Sequence, residues 1–257
     1  MENGPIVVVT RDENLFVPQY LHELVRKHGE QIVMVWVDGV SSPHLGALDV
    51  TRLCGVAGIF RLAARLVHHK IFGALGLRKK SGRFYSLISM LNHHKIPYKF
   101  SFNVCSQQFI HELREIDPAL LLSVANSRIL PEDVLQVPRL CLNVHGSLLP
   151  RYRGILTAFW MLLNDEKEAG VTIHEMTAEV DSGSIYAQIP VTVNKGETIV
   201  SLYDKISCAG SKLIADTVGH LGSIDPCPME EEQSNQRYSL PTREDMKRFL
   251  EEGGRFI

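Results

Sequence analysis

The sequence predicts an α/β fold: a single domain on a mainly parallel central sheet, followed by a short carboxyl-terminal appendage. Three observations support this. Short β-branched or largely apolar runs at 6–9, 32–37 and 119–124 alternate with segments whose apolar residues recur at helical spacing. The opening reads strand, helix, strand, which implies parallel pairing through a right-handed crossover. The run at 119–124 is apolar on both alternating faces, the pattern of a central parallel strand covered from both sides.

Composition narrows the function. A chain of 257 residues can bury a substantial core, and a formal net charge of -2 argues against the strong basic excess of a dedicated nucleic-acid binder. The five cysteines are far apart and include no Cys-x-x-Cys pair, so neither a disulfide framework nor a structural metal is expected, and a reducing, cytoplasmic setting is. The polar, acidic amino terminus lacks the parts of a signal peptide. Arg52, Arg61 and Arg65 interrupt the best candidate for a membrane helix, which needs roughly 18 to 20 apolar residues.

In chain order, the strand at 6–9 leads through a polar turn at 11–14 into a helix bearing Phe16, Tyr20, Leu21, Leu24 and Val25, closed by Gly29. The turn Thr10-Arg11-Asp12-Glu13-Asn14 has no glycine to let a pyrophosphate approach the backbone, so a nicotinamide cofactor is not expected. A basic helical insertion spans about 43–83, with no acidic residue after Asp49. It reads either as a solvated cover for the sheet or, over 52–83, as a peripheral contact for an anionic partner, a phosphorylated substrate or an anionic membrane surface. A helix at 84–92, a strand at 96–100 and a helix at 107–116, capped by Ser106 and ended by Asp117-Pro118, follow. Beyond the strand at 119–124 come a loop at 125–131, a helix over 155–163, strands at 170–176 and 185–193, and a long helix opened by Glu197 and Thr198. The domain is expected to span 1–222. The tail, 223–257, carries a short helix capped by Thr242 to Asp245.

The chemistry is expected in the stretch 142–154, Leu-Asn-Val-His-Gly-Ser-Leu-Leu-Pro-Arg-Tyr-Arg-Gly. Period-two alternation places Asn143 and His145 on one side of a strand and Val144 on the other. At the carboxyl end of a parallel sheet, two such polar groups frame a ligand crevice with the neighbouring loop that begins at Ala125.

These residues resemble the folate-dependent N-formyltransferases. The likeness is carried by Asn143-x-His145-x-Ser147-Leu148-Leu149-Pro150 with Arg153-Gly154, by Gly170-Val171-Thr172-Ile173-His174, and by Asp181-x-Gly183-x-Ile185. It is close from about 120 to 219 and extends to the first half only in strand and helix order. It implies a Rossmann-like formyltransferase domain in which Asn143, His145 and Asp181 are catalytic, Asp181 standing 36 positions after His145 as in the family. It also implies a donor pocket for 10-formyltetrahydrofolate from the loop Asn126, Ser127, Arg128, Ile129 and Leu130 and from the turn Val180, Ser182 and Gly183. Ser147 and Arg153 are expected near the substrate, with Arg153 either binding an acidic group or anchoring the loop. His174, within an apolar strand, is expected to be a packed, hydrogen-bonded histidine.

The residue types suit formyl transfer to an amine. An Asn N–H can stabilise the oxyanion that forms on the formyl oxygen, and a histidine, with a reference pKa of about 6.5, can move protons between the two nitrogens near neutrality. A carboxylate can orient that histidine. The tail at 238–245 is similar to members that act on amino sugars, so the expected acceptor is an amino sugar or a nucleotide-linked amino sugar, with folate as the other partner. Formyltetrahydrofolate hydrolysis, a methionyl-tRNA acceptor and a non-catalytic folate-binding or membrane-associated role are the competing readings. The tRNA reading is disfavoured by the acidic tail.

Overall fold

Alternate residues of the first strand, β1 (Ile6–Arg11), enter two different cores: Ile6 and Val8 join one apolar cluster, Val7 and Val9 the other. A strand buried on both faces needs helices on both sides, and the chain supplies them. The computed structural model describes residues 4–38, 47–79, 81–101, 103, 106–126, 128–229 and 237–257. After β1 come α1 (Val17–His28), β2 (Ile32–Asp38), α2 (Ala47–Ala74), α3 (Leu87–His93), β3 (Tyr98–Ser101) and α4 (Gln107–Ile116). Next are β4 (Leu120–Val124), α5 (Glu132–Leu135), β5 (Cys141–His145), β6 (Arg153–Gly154), α6 (Thr157–Leu163), β7 (Glu168–Glu175) and β8 (Ile185–Thr192). The chain closes with α7 (Ile199–Gly219), β9 (Arg237–Tyr238) and α8 (Arg243–Glu251).

Among the described residues, seven strands form one sheet in the order β3-β2-β1-β4-β5-β7-β8. The pairs from β3 through β5 are parallel, and β7 and β8 are antiparallel additions. The α/β class with a mainly parallel sheet is therefore as the sequence predicts. Strand order reverses between β1 and β4, and such a switch point opens a crevice at the carboxyl ends of the strands.

Local sequence explains most boundaries. Ser106 accepts the N–H of Phe109 to cap α4, and Asp117 ends it in a left-handed conformation. Reciprocal capping boxes, Thr198 with Ser201 and Thr242 with Asp245, start α7 and α8. At α1 the cap is Glu13, whose carboxylate accepts the N–H groups of Leu15, Phe16 and Val17 at 2.6, 2.8 and 3.1 Å. Gly29 closes that helix as expected, standing just after His28, though without the left-handed turn common at such a glycine. It is right-handed (φ -56°), and a 3-10 turn over Gly29–Gln31 carries the chain into β2.

The basic insertion is helical over Ala47–Ala74, broken at Gly55, whose left-handed φ of 59° suits a residue without Cβ. Positions 43–46 and Lys80 lie outside the described residues. Arg65 on α2 pairs with Asp204 of α7 at 2.7 Å, and the imidazole of buried His69 meets the Asn14 carbonyl at 3.0 Å.

The described part of the tail, 237–257, packs against the domain. Phe249 of α8 lies 4.9 Å from Phe159 of α6, ring centroid to ring centroid. Strand β9 pairs with β6, and Tyr238 stacks on Tyr152 at 4.9 Å. These two-residue strands are too short to leave a periodic signal in the sequence.

Candidate active site

Asn143 and His145 emerge on the same side of β5, while Leu142 and Val144 point into the first core, as the alternation requires. They open onto a cavity of about 1070 Å³ at the carboxyl ends of β1, β4 and β5. Asp181 reaches the same cavity from the turn after β7.

The three sequence-predicted catalytic residues come together with a fourth, His174. His145 is buried, and its Nε2 lies 2.8 Å from the Tyr152 carbonyl, which can only accept, so this nitrogen carries the hydrogen. Its Nδ1 faces Asp181 Oδ2 at 3.6 Å, wider than a direct hydrogen bond but an ion pair once Nδ1 is protonated. His174 Nδ1 is likewise committed to a carbonyl, that of Glu175, at 2.8 Å. In the neutral ring its Nε2 is then an acceptor, and it sits 3.2 Å from Asn143 Nδ2. Asn143 therefore turns its NH2 toward His174, leaving its second hydrogen for another acceptor. His174 Nε2 also stands 3.6 Å from Asp181 Oδ1.

Asp181 is the electrostatic centre of this group. Burial alone pushes its carboxyl toward the neutral form, but His145, His174 and the N–H of Gly154, which donates to Oδ2 at 2.8 Å, outweigh that cost. The net effect holds the group well below the usual carboxylate range, ionised at working pH. Gly154 is required where it stands. Its φ is 103°, and a Cβ there would meet the Tyr238 carbonyl oxygen at 2.1 Å.

Asn126, Arg128, Ile129 and Leu130, expected at the donor pocket, border the same cavity, as does Val180. Asn126 braces its own loop by accepting the Arg128 N–H at 3.3 Å and donating to the Arg128 carbonyl at 3.1 Å. The Arg128 side chain pairs with buried Asp38 at 2.5 Å. Ile129 leaves its apolar side chain 63% exposed at the cavity edge. Ser182 fixes the 177–183 turn through Thr177 and the Glu179 carbonyl, both at 2.9 Å, and Gly183 packs under the Glu175 carbonyl. Ser127 lies outside the described residues.

Ser147 and Arg153 do not border the cavity. Ser147 is fully buried and donates to the Arg151 carbonyl at 2.8 Å, pinning the loop that holds Tyr152 over His145. Arg153 is buried and its guanidinium stands beside Met229 Sδ at 3.3 Å and the Glu179 carboxylate at 3.8 Å.

His174 is packed and hydrogen-bonded, as the sequence leads one to expect, and the structure adds that one of its partners, Asn143, lies within the cluster. Thr172, His174 and Met176 alternate onto one face of a strand. Four residues of the carboxyl-terminal tail, Arg237, Tyr238, Ser239 and Phe256, also border the cavity.

A mainly parallel sheet with a switch-point crevice brings a half-buried Asn, two buried His and a buried Asp together near its carboxyl edge, an arrangement able to carry acid-base group transfer. Residues 75–218 match the family model for formyl transferase, more than half of the chain, and the chain belongs to that family. It is 38% identical over 144 residues to a methionyl-tRNA formyltransferase of Pelobacter propionicus, covering 55% of this chain and 45% of the relative. The chain thus spans less than half the length of this curated relative. The fold is similar to that of an N-formyltransferase from Helicobacter canadensis solved with folinic acid and dTDP-3-aminofucose, with a TM-score of 0.60 and 18% identity over 93% of this chain and 71% of the other. It is also similar to phosphoribosylglycinamide formyltransferase from Bacillus halodurans, with a TM-score of 0.59 and 16% identity over 85% and 95%.

Proposed function

We propose that this chain transfers a formyl group from 10-formyltetrahydrofolate to the primary amine of an amino sugar, free or nucleotide-linked. The observation that carries the reading is the cluster itself: Asn143, His145, His174 and ionised Asp181 meet at the base of one cavity. Folate supplies the formyl carbon. Ile129, Leu130 and Val180 offer apolar surface for a flat ring, beside backbone groups of the 126–130 loop and the 177–183 turn.

Attack by the amine places negative charge on the formyl oxygen, and the free Asn143 N–H stabilises it. Proton transfer falls to His145, whose Nε2 hydrogen is held by Tyr152, so Nδ1 is the working nitrogen. That nitrogen takes a proton from the attacking amine and returns one to the departing folate nitrogen. Asp181 stabilises the imidazolium that exists between these steps.

The small acceptor is favoured by the shape of the site. The tail and α2 both border the cavity, through Tyr238 and Ser239 on one side and Leu62 and Leu66 on the other. These residues wall a cavity able to hold a small ligand. The Helicobacter canadensis neighbour, by its description, was solved with an amino-sugar nucleotide. Glu13 already occupies the amino terminus of α1, where a phosphate would otherwise sit. That counts against a phosphoribosyl acceptor placed at this turn. The test is incubation with 10-formyltetrahydrofolate and separate amines, following tetrahydrofolate release and N-formyl product. Release with amino sugars supports the proposal. Product only on charged tRNA, or formate without any amine, overturns it.

A further inference from the structure

Helix α2 is anchored on one side and apolar on the other. Its inner face, with Gly58, Arg65, His69 and Gly73, meets the tail, α7, the Asn14 carbonyl and Ser86. The opposite stripe, Val56, Phe60, Ala63, Val67, Ile71 and Ala74, steps by four or three residues and faces outward. Val56, Phe60, Val67 and Ile71 are 75%, 72%, 55% and 51% exposed. A surface helix ordinarily turns charged residues to water, and this one turns its large apolar residues there. Exposed Arg61 and Lys70 flank the stripe on its two sides.

The charge of the surrounding segment is one-sided. Residues 50–111 contain ten Lys and Arg and not one Asp or Glu, in a chain with 27 bases and 29 acids. Helix α2 also lies outside the span that matches the formyl transferase family, which begins at residue 75. No helix among the described residues is long and apolar enough to cross a bilayer.

We propose that the outward face of α2 seats the protein on the surface of an anionic membrane, the apolar stripe entering the headgroup boundary and Arg61 and Lys70 meeting lipid phosphates. The part of α2 after Gly55 is about 28 Å long at 1.5 Å per residue, enough to lie along the interface as an amphipathic anchor. Charge decides between this occupant and a second copy of the chain. Self-association through the stripe would bring Arg61 and Lys70 against their own copies, with no acid in the segment to offset them. A surface of phosphates supplies the missing charge. Because Leu62 and Leu66 of the same helix border the catalytic cavity, seating places the cavity close to the lipid.

The test is flotation of the full chain with vesicles of phosphatidylcholine alone or mixed with phosphatidylglycerol, independent of any assay for formyl transfer. Wild type is expected to float with the anionic vesicles, less with neutral ones, and less again at high salt. The triple variant Phe60→Ser, Val67→Ser, Ile71→Ser should weaken partition by at least about tenfold. Arg61→Gln with Lys70→Gln should weaken it roughly fivefold per charge removed. All five positions are exposed, so unchanged circular dichroism and thermal unfolding are expected of both variants. Absence of flotation, or flotation indifferent to both variants, overturns the proposal. So does efficient disulfide cross-linking of a Val67→Cys variant into dimers in lipid-free solution without vesicle binding, which assigns the face to a second copy.

Discussion

Asn143 and His174 stand directly opposite each other in the antiparallel β5/β7 pair, with Asn143 Nδ2 3.2 Å from His174 Nε2. The cross-strand register thus sets the direction in which the Asn143 amide points. On the proposed mechanism His174 positions Asn143, and its replacement should change turnover more than binding. His174→Ala is expected to lower kcat about fivefold or more, the worth of one lost hydrogen bond, with donor KM little changed. His174→Gln, which can present an acceptor, should recover part of the loss. Steady-state kinetics of both variants check this.

Asn143→Ala removes the donor itself. Loss of an oxyanion-stabilising N–H typically costs about 100- to 1000-fold in kcat, and the affinity for a folate analogue should stay within a few-fold of wild type. Calorimetric binding beside turnover separates the two effects. A loss of affinity equal to the loss of turnover contradicts the assignment.

Asp181 gives a pH-dependent stability with a definite sign. Its folded pKa lies below the unfolded reference of about 3.9, so its contribution is fully present above that value and is lost as pH falls through the folded value. The stability difference between wild type and Asp181→Asn should therefore shrink as pH is lowered from about 4. Urea midpoints from pH 5 downward measure it, and a difference that grows on acidification contradicts the burial of an ionised carboxylate.

Ile129 tests the donor pocket without touching the chemistry. Covering its exposed side chain with a ligand ring should stabilise the complex, so Ile129→Ser is expected to raise donor KM about tenfold while kcat is nearly retained. Unchanged KM for the folate and altered KM for the amine would move the donor elsewhere in the cavity.

The parts legible in the sequence are those encoded over short stretches. The apolar run at 119–124 announced a doubly covered strand, Ser106 and Thr242 announced helix starts, and Asn143-x-His145 announced two side chains on one face. What escaped depends on pairings between distant segments. His174 reads as a strand histidine until β7 is laid antiparallel to β5, which no local pattern specifies. The same holds for the tail, where Tyr238 comes beside Tyr152 through a bridge only two residues long. Glu13 caps α1 from four residues before the first helical position, beyond the usual capping place, so the turn at 11–14 showed only that it lacked glycine. Composition marked the basic insertion but could not say that the apolar residues of α2 face outward, because that follows from which side of the helix Arg65 and His69 anchor.

The most direct measurement is single-turnover formyl transfer by His145→Ala beside wild type, using 10-formyltetrahydrofolate and an amino sugar that the wild type accepts. The expected result is a folded variant that binds folate nearly as well and transfers roughly 100- to 10,000-fold more slowly, the usual contribution of general acid-base catalysis. Transfer at the wild-type rate contradicts the placement of proton transfer at His145 Nδ1, and with it the reading of the cluster around Asp181.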